Sequence, residues 1–237
     1  MSTLKQRQPL PWLLASLLTA TLVACGGGGD GDGAPGMGLR AQGGGNAAFD
    51  AGALASTLAS YPLQTPSAAE ADGLAFMREE EELAHAVYAD SAARWPTLPI
   101  FANIAASETT HTTAVKALLD RYQLADPLAG LPTGTFKTTA LQVLYAQLVA
   151  ASSTSLVDAL KVGAQIEELD IHDLQTQIAE VDNADILMVY DNLLRGSRNH
   201  LRSYMRNLTN QGGSYTPQYL SPAAFDAIVQ SAMETGR

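Results

Sequence analysis

The sequence contains a single cysteine and few positive charges among its 237 residues. One cysteine excludes a disulfide framework within the chain, and it also excludes zinc or iron–sulfur sites built from several thiolates. Only 14 lysine and arginine residues oppose 24 aspartate and glutamate residues, which gives a formal net charge of −10. This balance argues against nucleic acid as a partner, because phosphate binding requires a basic surface. The hydrophobic share of 46% is nevertheless enough for a folded core.

Residues 1–24 have the pattern of an export signal. Two basic residues precede an apolar run over residues 11–24, which is too short for a comfortable transmembrane span. The run ends in Leu22-Val-Ala-Cys25, which resembles the lipobox of bacterial lipoproteins. The resemblance implies cleavage before Cys25, attachment of a lipid to its thiol, and anchoring in the bacterial cell envelope, on the periplasmic or surface side of the outer membrane. The alternative is a secreted, soluble protein with an unmodified cysteine.

Residues 25–67 are predicted to form a lipid-anchored, flexible tether. Eleven of the 20 glycines fall between residues 26 and 45, and such a stretch cannot bury apolar area. Without the signal, the mature chain has 12 basic and 24 acidic residues and a net charge of −12. The acid excess therefore belongs to the mature protein.

Residues 68–212 are predicted to form an all-α bundle, because apolar residues recur there at spacings of three and four. The four predicted long helices cover residues 68–94, 101–122, 155–181 and 184–210. A connection of roughly 30 residues, with a short helix over residues 138–151, joins the second to the third. This long crossover is the connectivity of a ferritin-like four-helix bundle. Residues 213–237 are predicted to be a small C-terminal tail that packs on the bundle.

Each predicted long helix carries ionisable side chains in the middle of its apolar face. They are Glu81, then Glu108 and His111, then Glu167 and Asp170, and finally His200. Buried carboxylates without partners are costly, and protonation, pairing or metal binding satisfies them. No lysine or arginine falls on these inward positions, whereas two divalent cations would cancel four carboxylates. The pattern favours a dinuclear site, and its oxygen and imidazole donors suit iron or manganese, with zinc as an alternative.

These motifs resemble those of the ferritin-like superfamily. Glu81 lies seven residues before Tyr88, the second helix carries Glu108-Thr-Thr-His111, and the third carries Glu167. With Gly196-Ser-Arg-Asn-His200-Leu, they are similar to a bacterial and archaeal ferritin-like domain family of unknown function, over about residues 68–230. The resemblance implies a di-iron site that binds O₂ or peroxide, oxidises Fe(II), or oxidises a substrate beside the metals.

The fourth helix departs from the superfamily pattern at Ser197, where a carboxylate is expected. Asp170 follows Glu167 by one turn on the same helix face and is the natural substitute. The predicted ligand set is therefore Glu81, Glu108, His111, Glu167, Asp170 and His200. The residues predicted to surround it are His85, Tyr88, Ser197 and Tyr204, with a rim position for His85 and core-filling roles for the tyrosines as alternatives. Part of the run Glu79–Glu82 is interpreted as a solvated acidic face.

Two functions from different classes follow from the sequence. The first is a di-iron carboxylate protein at the cell envelope with oxidase, ferroxidase or peroxide-handling activity, whose oxidant is O₂ or peroxide. The second is a non-catalytic helical lipoprotein that acts as an envelope interaction module. The second function predicts inward acids satisfied by water or protons, so metal content separates the two. A homodimer is left open in both.

Overall fold

The computed structural model describes residues 40–42, 46–48 and 51–235, so the predicted signal, Cys25 and most of the glycine-rich tether lie outside it. Over those ranges the chain forms seven helices and one two-stranded antiparallel sheet. In chain order the elements are β1 (Arg40–Gln42), β2 (Asn46–Ala48), α1 (Ala51–Ser60), α2 (Ala68–Arg94), α3 (Ile100–Arg121), α4 (Thr139–Ser152), α5 (Leu156–Ile178), α6 (Ala184–Asn210) and α7 (Pro222–Val229).

The four long helices α2, α3, α5 and α6 form a bundle in which α2 and α6 each pack against both α3 and α5. Gly73, near the start of α2, lies next to Gln177 at the end of α5, so these two helices are antiparallel. Arg121, at the end of α3, pairs with Asp185 at the start of α6, so this pair is antiparallel too. Short loops join α2 to α3 and α5 to α6. The helix directions are therefore up, down, down and up, and the prediction of an all-helical bundle is confirmed.

Local signals set the helix ends. Ser67 and Glu70 form a capping box at the start of α2, in which each side chain accepts a hydrogen bond from the other's backbone N–H. Ser155 caps α5 by accepting a hydrogen bond from the backbone of Asp158. After α6, Gly212 adopts a positive φ of 72°, which glycine accommodates without strain.

The crossover from α3 to α5 runs through α4, and the two ends of α4 are attached to α2 and to Trp95, the residue that follows α2. At the first end, the carboxylate of Glu79 accepts hydrogen bonds from the backbone N–H groups of Lys137 and Thr138, at 2.5 and 3.1 Å. At the other end, the indole N–H of Trp95 donates to the carbonyl of Ser152 at 3.2 Å. A buried acid and an indole therefore hold the long connection against the bundle.

Helix α1 lies within residues 25–67, the range assigned to the tether. Leu54 and Leu58, one turn apart, are buried in the same apolar cluster as Val115 and Leu118 of the bundle. Two leucines four residues apart lie on the same helix face, so they form an apolar stripe although the other residues of α1 are small. The folded part of the chain therefore begins before residue 68.

The C-terminal tail lies against α5 and α6. Glu168 of α5 is buried and accepts hydrogen bonds from the Tyr215 hydroxyl and from backbone N–H groups of the tail. Phe225 of α7 is buried in the bundle core, and Glu234 pairs with Arg202 of α6. In the part of the chain that the structure covers, no helix combines the length and the apolar character needed to cross a membrane.

Candidate metal centre

A layer of buried carboxylates and imidazoles interrupts the apolar core of the bundle. The buried apolar side chains form two separate clusters, one around Tyr88 and Leu160 and the other around Met77 and Leu118. On α2, α3 and α6, the residues of the polar layer fall between those of the two clusters. Its buried members are Glu81, Glu108, His111, Glu167, Asp170, Ser197 and His200. The sequence prediction that these residues occupy inward positions is therefore confirmed.

The first half of the polar layer is built by α2 and α3. Glu108 and His111 lie one turn apart on α3, and Nδ1 of His111 is 2.8 Å from Oε2 of Glu108. Glu81 approaches the same nitrogen from α2, with its Oε2 at 3.3 Å. One ligand atom from each of these buried side chains lies within 4.8 Å of the other two. The group offers the oxygen and imidazole donors of a transition-metal site.

The second half, built with α5 and α6, repeats this arrangement. Nδ1 of His200 lies 2.8 Å from Oε1 of Glu108 and 3.4 Å from Oε2 of Glu167. These three side chains form a second buried group within the same limit of 4.8 Å. Glu108 belongs to both groups and directs one oxygen at each imidazole, and the rings of His111 and His200 stack with centroids 5.5 Å apart. The two groups, either of which could hold a metal ion, therefore share the carboxylate of Glu108.

The donor spacing fits metal ions of ordinary size. Imidazole nitrogens and carboxylate oxygens bind zinc at about 2.0–2.2 Å, so two donors to one such ion lie no more than about 4.4 Å apart. The nitrogen–oxygen separations in the two groups are 2.8 to 3.4 Å. Oε1 of Glu81 is buried and has no hydrogen-bond partner among residues 51–235, so it could bind a metal ion.

Charges within the polar layer shift its pKa values strongly. Burial raises the pKa of Glu81 to about 8 and also raises that of Glu167. Burial acts in the same direction on Glu108, but the neighbouring imidazoles outweigh it and hold the pKa of Glu108 well below its ordinary value. Burial opposes protonation of His200, yet the carboxylates of Glu167 and Glu108 raise its pKa to about 9. The same balance raises the pKa of His111. The carboxylates and the imidazoles of the polar layer thus shift one another's pKa values.

Asp170 lies beside the two groups and belongs to neither. Its Oδ2 accepts a hydrogen bond from the hydroxyl of Ser197 on α6, while its Oδ1 has no such partner in the described part of the chain. Burial, followed by the charge of Glu81, raises the pKa of Asp170 well above its ordinary value. The serine at the position that departs from the superfamily pattern therefore contacts the carboxylate expected to replace it. The role of Asp170 as a sixth ligand stays a prediction.

Comparison with known proteins places this bundle in a defined family. Residues 70–232 match the family described as an uncharacterized protein domain, DUF2202. The chain belongs to this family. The uncharacterized protein MJ0754 of Methanocaldococcus jannaschii is 48% identical over 179 residues, which are 76% of this chain and 96% of the relative. The crystal structure of that hypothetical protein MJ0754 covers 74% of this chain and 99% of its own, with a TM-score of 0.72.

Two tyrosines of the DUF2202 domain, which also belong to an apolar core cluster, lie next to the polar layer, whereas His85 lies farther out. Tyr88 donates a hydrogen bond of 2.6 Å to Oε1 of Glu167. Tyr204 lies behind it, with ring centroids 5.2 Å apart. His85 is half-buried, and its Nδ1 is 3.4 Å from Oε1 of Glu82. The structure thus places His85 at the rim.

Two small residues, to which the sequence reasoning assigned no role, support the imidazoles. Nε2 of His200 lies 3.0 Å from the hydroxyl of Ser107, which fixes the ring from the side opposite its carboxylates. At Gly196, a Cβ atom would lie 2.7 Å from the ring of His111. Ser107 and Gly196 each precede the histidine of their own helix by four residues, so a common offset on α3 and α6 was the available signal.

The glutamate run of the DUF2202 domain is buried more extensively than the sequence suggested. Glu79, Glu80 and Glu81 are all buried, and only Glu82 keeps partial exposure. The part of the run that can be a solvated acidic face is therefore limited to Glu82. Glu79 anchors the crossover, while Glu80 points into the interface of α2 with α5. A charge pattern alone does not reveal that α4 covers one side of α2 and α5 the other.

Proposed function

We propose that this protein is a ferritin-like di-metal carboxylate protein, with iron as the favoured metal. The observation that carries the proposal is the position of Glu108, whose two oxygens each lie 2.8 Å from a different buried imidazole. Besides Glu108, which belongs to both groups, each group contains one glutamate and one histidine. The up-down-down-up helix order with a long crossover supports the ferritin-like assignment.

Charge balance favours metal over internal pairing. In the polar layer of the DUF2202 domain, the described ion pairs of the carboxylates involve histidine and no lysine or arginine. Imidazoles hold their protons there only because carboxylates surround them, and those protons leave when a metal binds the nitrogens. Two divalent ions would neutralise Glu81, Glu108, Glu167 and Asp170 together.

In this proposal Glu81 and His111 would hold one ion and Glu167 and His200 would hold the other, while Glu108, which directs one oxygen at each imidazole, would serve both. A pair of iron ions supplies one-electron chemistry with O₂ or peroxide, which makes an oxidase, ferroxidase or peroxide-handling activity the expected function. The chain's own contribution is a set of buried side chains that are held in place by their neighbours. Ser107 orients His200, and Tyr88 orients the carboxylate of Glu167.

Metal analysis of the purified mature chain tests the proposal. We expect two ions per wild-type chain and a loss of bound metal in Glu108→Ala and His200→Ala. Glu180→Ala and His172→Ala are matched controls, because both residues are exposed and lie outside the polar layer. Rapid Fe(II) oxidation under air by the wild type, and not by Glu108→Ala, would support a ferroxidase activity of the metal centre. Equal, sub-stoichiometric metal in the wild type and all variants would overturn the proposal.

One observation favours the alternative, a metal-free interaction module of the envelope. Glu108 already pairs with both imidazoles, so the polar layer can be stable with protons in place of metal. In that case metal addition leaves the thermal stability of the wild type unchanged. In the di-metal case the bound ions stabilise the fold, and the melting temperature rises with metal concentration.

We also propose that the domain is exported and held at the bacterial envelope by a lipid on Cys25. Support comes from the sequence over residues 22–25 alone, which lies outside the described residues. Cell fractionation tests it: the wild type is expected in the membrane fraction, and Cys25→Ala in a soluble fraction. Recovery of both in the soluble fraction would contradict the anchor and leave the metal centre unaffected.

A further inference from the structure

The carboxylate of Glu80 is buried without a hydrogen-bond donor. Its side chain belongs to α2 at the interface with α5, and the residue is only 3% exposed. Neither of its oxygens accepts a hydrogen bond from an N–H or hydroxyl donor in the described chain, and its carboxyl group lies at hydrogen-bond distance from the carboxyl group of Asp173. A buried carboxylate in this condition costs several kcal/mol unless a cation or a proton compensates it. The proposed ligand set does not use Glu80, so its burial is unexplained by the centre itself.

The charges that act most strongly on Glu80 all belong to other acids. They are those of Asp173, Asp170 and Glu81, in that order. Asp170 and Asp173 lie one turn apart on α5, facing α2, and Glu81 follows Glu80 on α2. Together with burial, these neighbours raise the pKa of Glu80 well above its ordinary value. No ion pair from lysine or arginine reaches Glu80, Asp170 or Asp173 within the residues that the structure covers.

Asp173 is the most exposed of these acids, whereas Glu80, Asp170 and Glu81 are buried. The side chain of Asp173 is 22% exposed, and its Oδ1 lies 2.8 Å from Nδ1 of the more exposed His172. Glu80 and Asp170 are buried; Oδ1 of Asp170 has no hydrogen-bond partner in the described chain, whereas its Oδ2 accepts a hydrogen bond from Ser197. Glu81 is already a member of the first metal group. A line of acids with low-dielectric walls attracts cations and raises their local concentration.

We propose that Asp173, Glu80 and Asp170 form an acidic path along the α2–α5 interface, through which divalent cations reach Glu81 and the metal centre. The inference rests on the proposed di-metal function. In this path Asp173 captures the hydrated ion at the surface, Glu80 replaces part of its water shell inside, and Asp170 passes it to the centre. The unsatisfied oxygens of Glu80 and Asp170 are then the transient ligands of a passing ion.

The rate of metal uptake tests the path separately from the metal centre. Metal-free mature chain is mixed rapidly with Co(II), and the absorbance of bound Co(II) gives both the uptake rate and the number of ions at equilibrium. The variants are Glu80→Gln and Asp173→Asn. Asp72→Asn is the matched control, because Asp72 is an exposed acid of the same helix and its change alters the net charge equally.

We expect Glu80→Gln and Asp173→Asn to bind as many ions as the wild type, but about tenfold more slowly. The control is expected to match the wild type in both measurements. Uptake by Glu80→Gln at the wild-type rate would overturn the path, and so would a reduced ion count, which would make Glu80 a ligand of the centre. A wild type that binds no Co(II) would instead overturn the di-metal function, so the two failures are distinguishable. Far-ultraviolet circular dichroism confirms that each variant is folded.

Discussion

The hydroxyl of Ser197 donates a hydrogen bond to the carboxylate of Asp170 across the α5–α6 interface. Ser197 occupies the helix position that corresponds to Glu108 on α3, since each lies three residues before a histidine of the centre. The two halves of the centre are therefore related but unequal. One half has a glutamate at this position, and the other has a serine that holds an aspartate from the neighbouring helix.

The contact between Ser197 and Asp170 predicts different effects for the two side chains. If Asp170 is a ligand of the loaded protein, Asp170→Asn lowers the bound metal, whereas Ser197→Ala removes only an orienting hydrogen bond. Loss of such a supporting contact weakens metal binding by about 10- to 100-fold. Titration with Co(II), followed by metal analysis after dialysis, measures both. Equal, small losses of affinity in the two variants would show that Asp170 supports the centre from outside the ligand set.

The shared position of Glu108 predicts a stepwise loss of metal. Glu81→Ala removes a carboxylate from one group, and Glu167→Ala removes one from the other, so each is expected to retain one ion in place of two. Glu108→Ala is expected to lose both. It also leaves two buried imidazoles without their common partner, which costs about 3–5 kcal/mol of the free energy of unfolding. Ion counts and urea denaturation measure these effects; equal ion counts in all three variants would contradict a bridging role.

The helices of the centre are predictable from the sequence because their signals are local. The predicted ranges 68–94 and 184–210 coincide with α2 and α6, since a capping box, a proline and a positive-φ glycine mark their ends. The spacing of Glu108 and His111 places both on one helix face without knowledge of the fold.

The features that could not be predicted from the sequence are those that depend on tertiary packing. The burial of Glu80 depends on α5 packing beside it, and the contact of Asp170 with Ser197 depends on the register between α5 and α6. Helix α1 was missed because small and polar residues surround Leu54 and Leu58, whose burial is provided by other helices. In each case the partner lies far away in the sequence.

The close packing of Gly196 against His111 allows a steric test of the group formed by Glu81, Glu108 and His111. In Gly196→Ala the new Cβ would meet the His111 ring at 2.7 Å, and overpacking of this kind costs about 1–3 kcal/mol. The gain in helix propensity, about 1 kcal/mol, offsets part of that cost. We expect a lower melting temperature and weaker metal binding. Gly73→Ala is the matched control, because its Cβ meets the flexible end of Gln177 and otherwise only lies at an ordinary contact distance of 3.6 Å from the Tyr190 hydroxyl. An equal response of both variants would contradict a special role of Gly196.

The hydrogen bonds of Glu168 predict how much the attachment of the C-terminal tail contributes to the free energy of unfolding. Its carboxylate accepts hydrogen bonds of 2.6 to 2.8 Å from the Tyr215 hydroxyl and from the backbone of Gln218 and Leu220. Glu168→Gln replaces one acceptor oxygen by a donor, and we expect it to cost about 3 kcal/mol, because hydrogen bonds to a charged group contribute about 1.5–3 kcal/mol each. Tyr215→Phe removes one donor and should cost less. Urea denaturation gives the energies, and faster hydrogen exchange over residues 214–229 would locate the loss; unchanged exchange there would contradict it.

The hydrogen bonds of Glu70 predict that its contribution to the free energy of unfolding depends on pH. It accepts hydrogen bonds from the backbone of Ser67, Asp182 and Asn183, at 2.7, 3.1 and 3.0 Å. Burial opposes ionisation, but these hydrogen bonds prevail and lower the pKa of Glu70 below its ordinary value of 4.5. The folded state therefore binds the Glu70 proton more weakly than the unfolded state, and ionised Glu70 stabilises the fold fully above pH 4.5.

This contribution is lost as the pH falls through the folded-state pKa of Glu70, below 4.5. We expect the free energy of unfolding of Glu70→Gln to lie below that of the wild type at neutral pH, and the difference to shrink in acid. Urea denaturation of both proteins at a series of pH values measures it. Asp72→Asn, an exposed acid on the same helix, should show no such convergence. A difference between wild type and Glu70→Gln that stays constant down to the acid limit of folding would mean that the Glu70 charge does not anchor α2 to the α5–α6 loop.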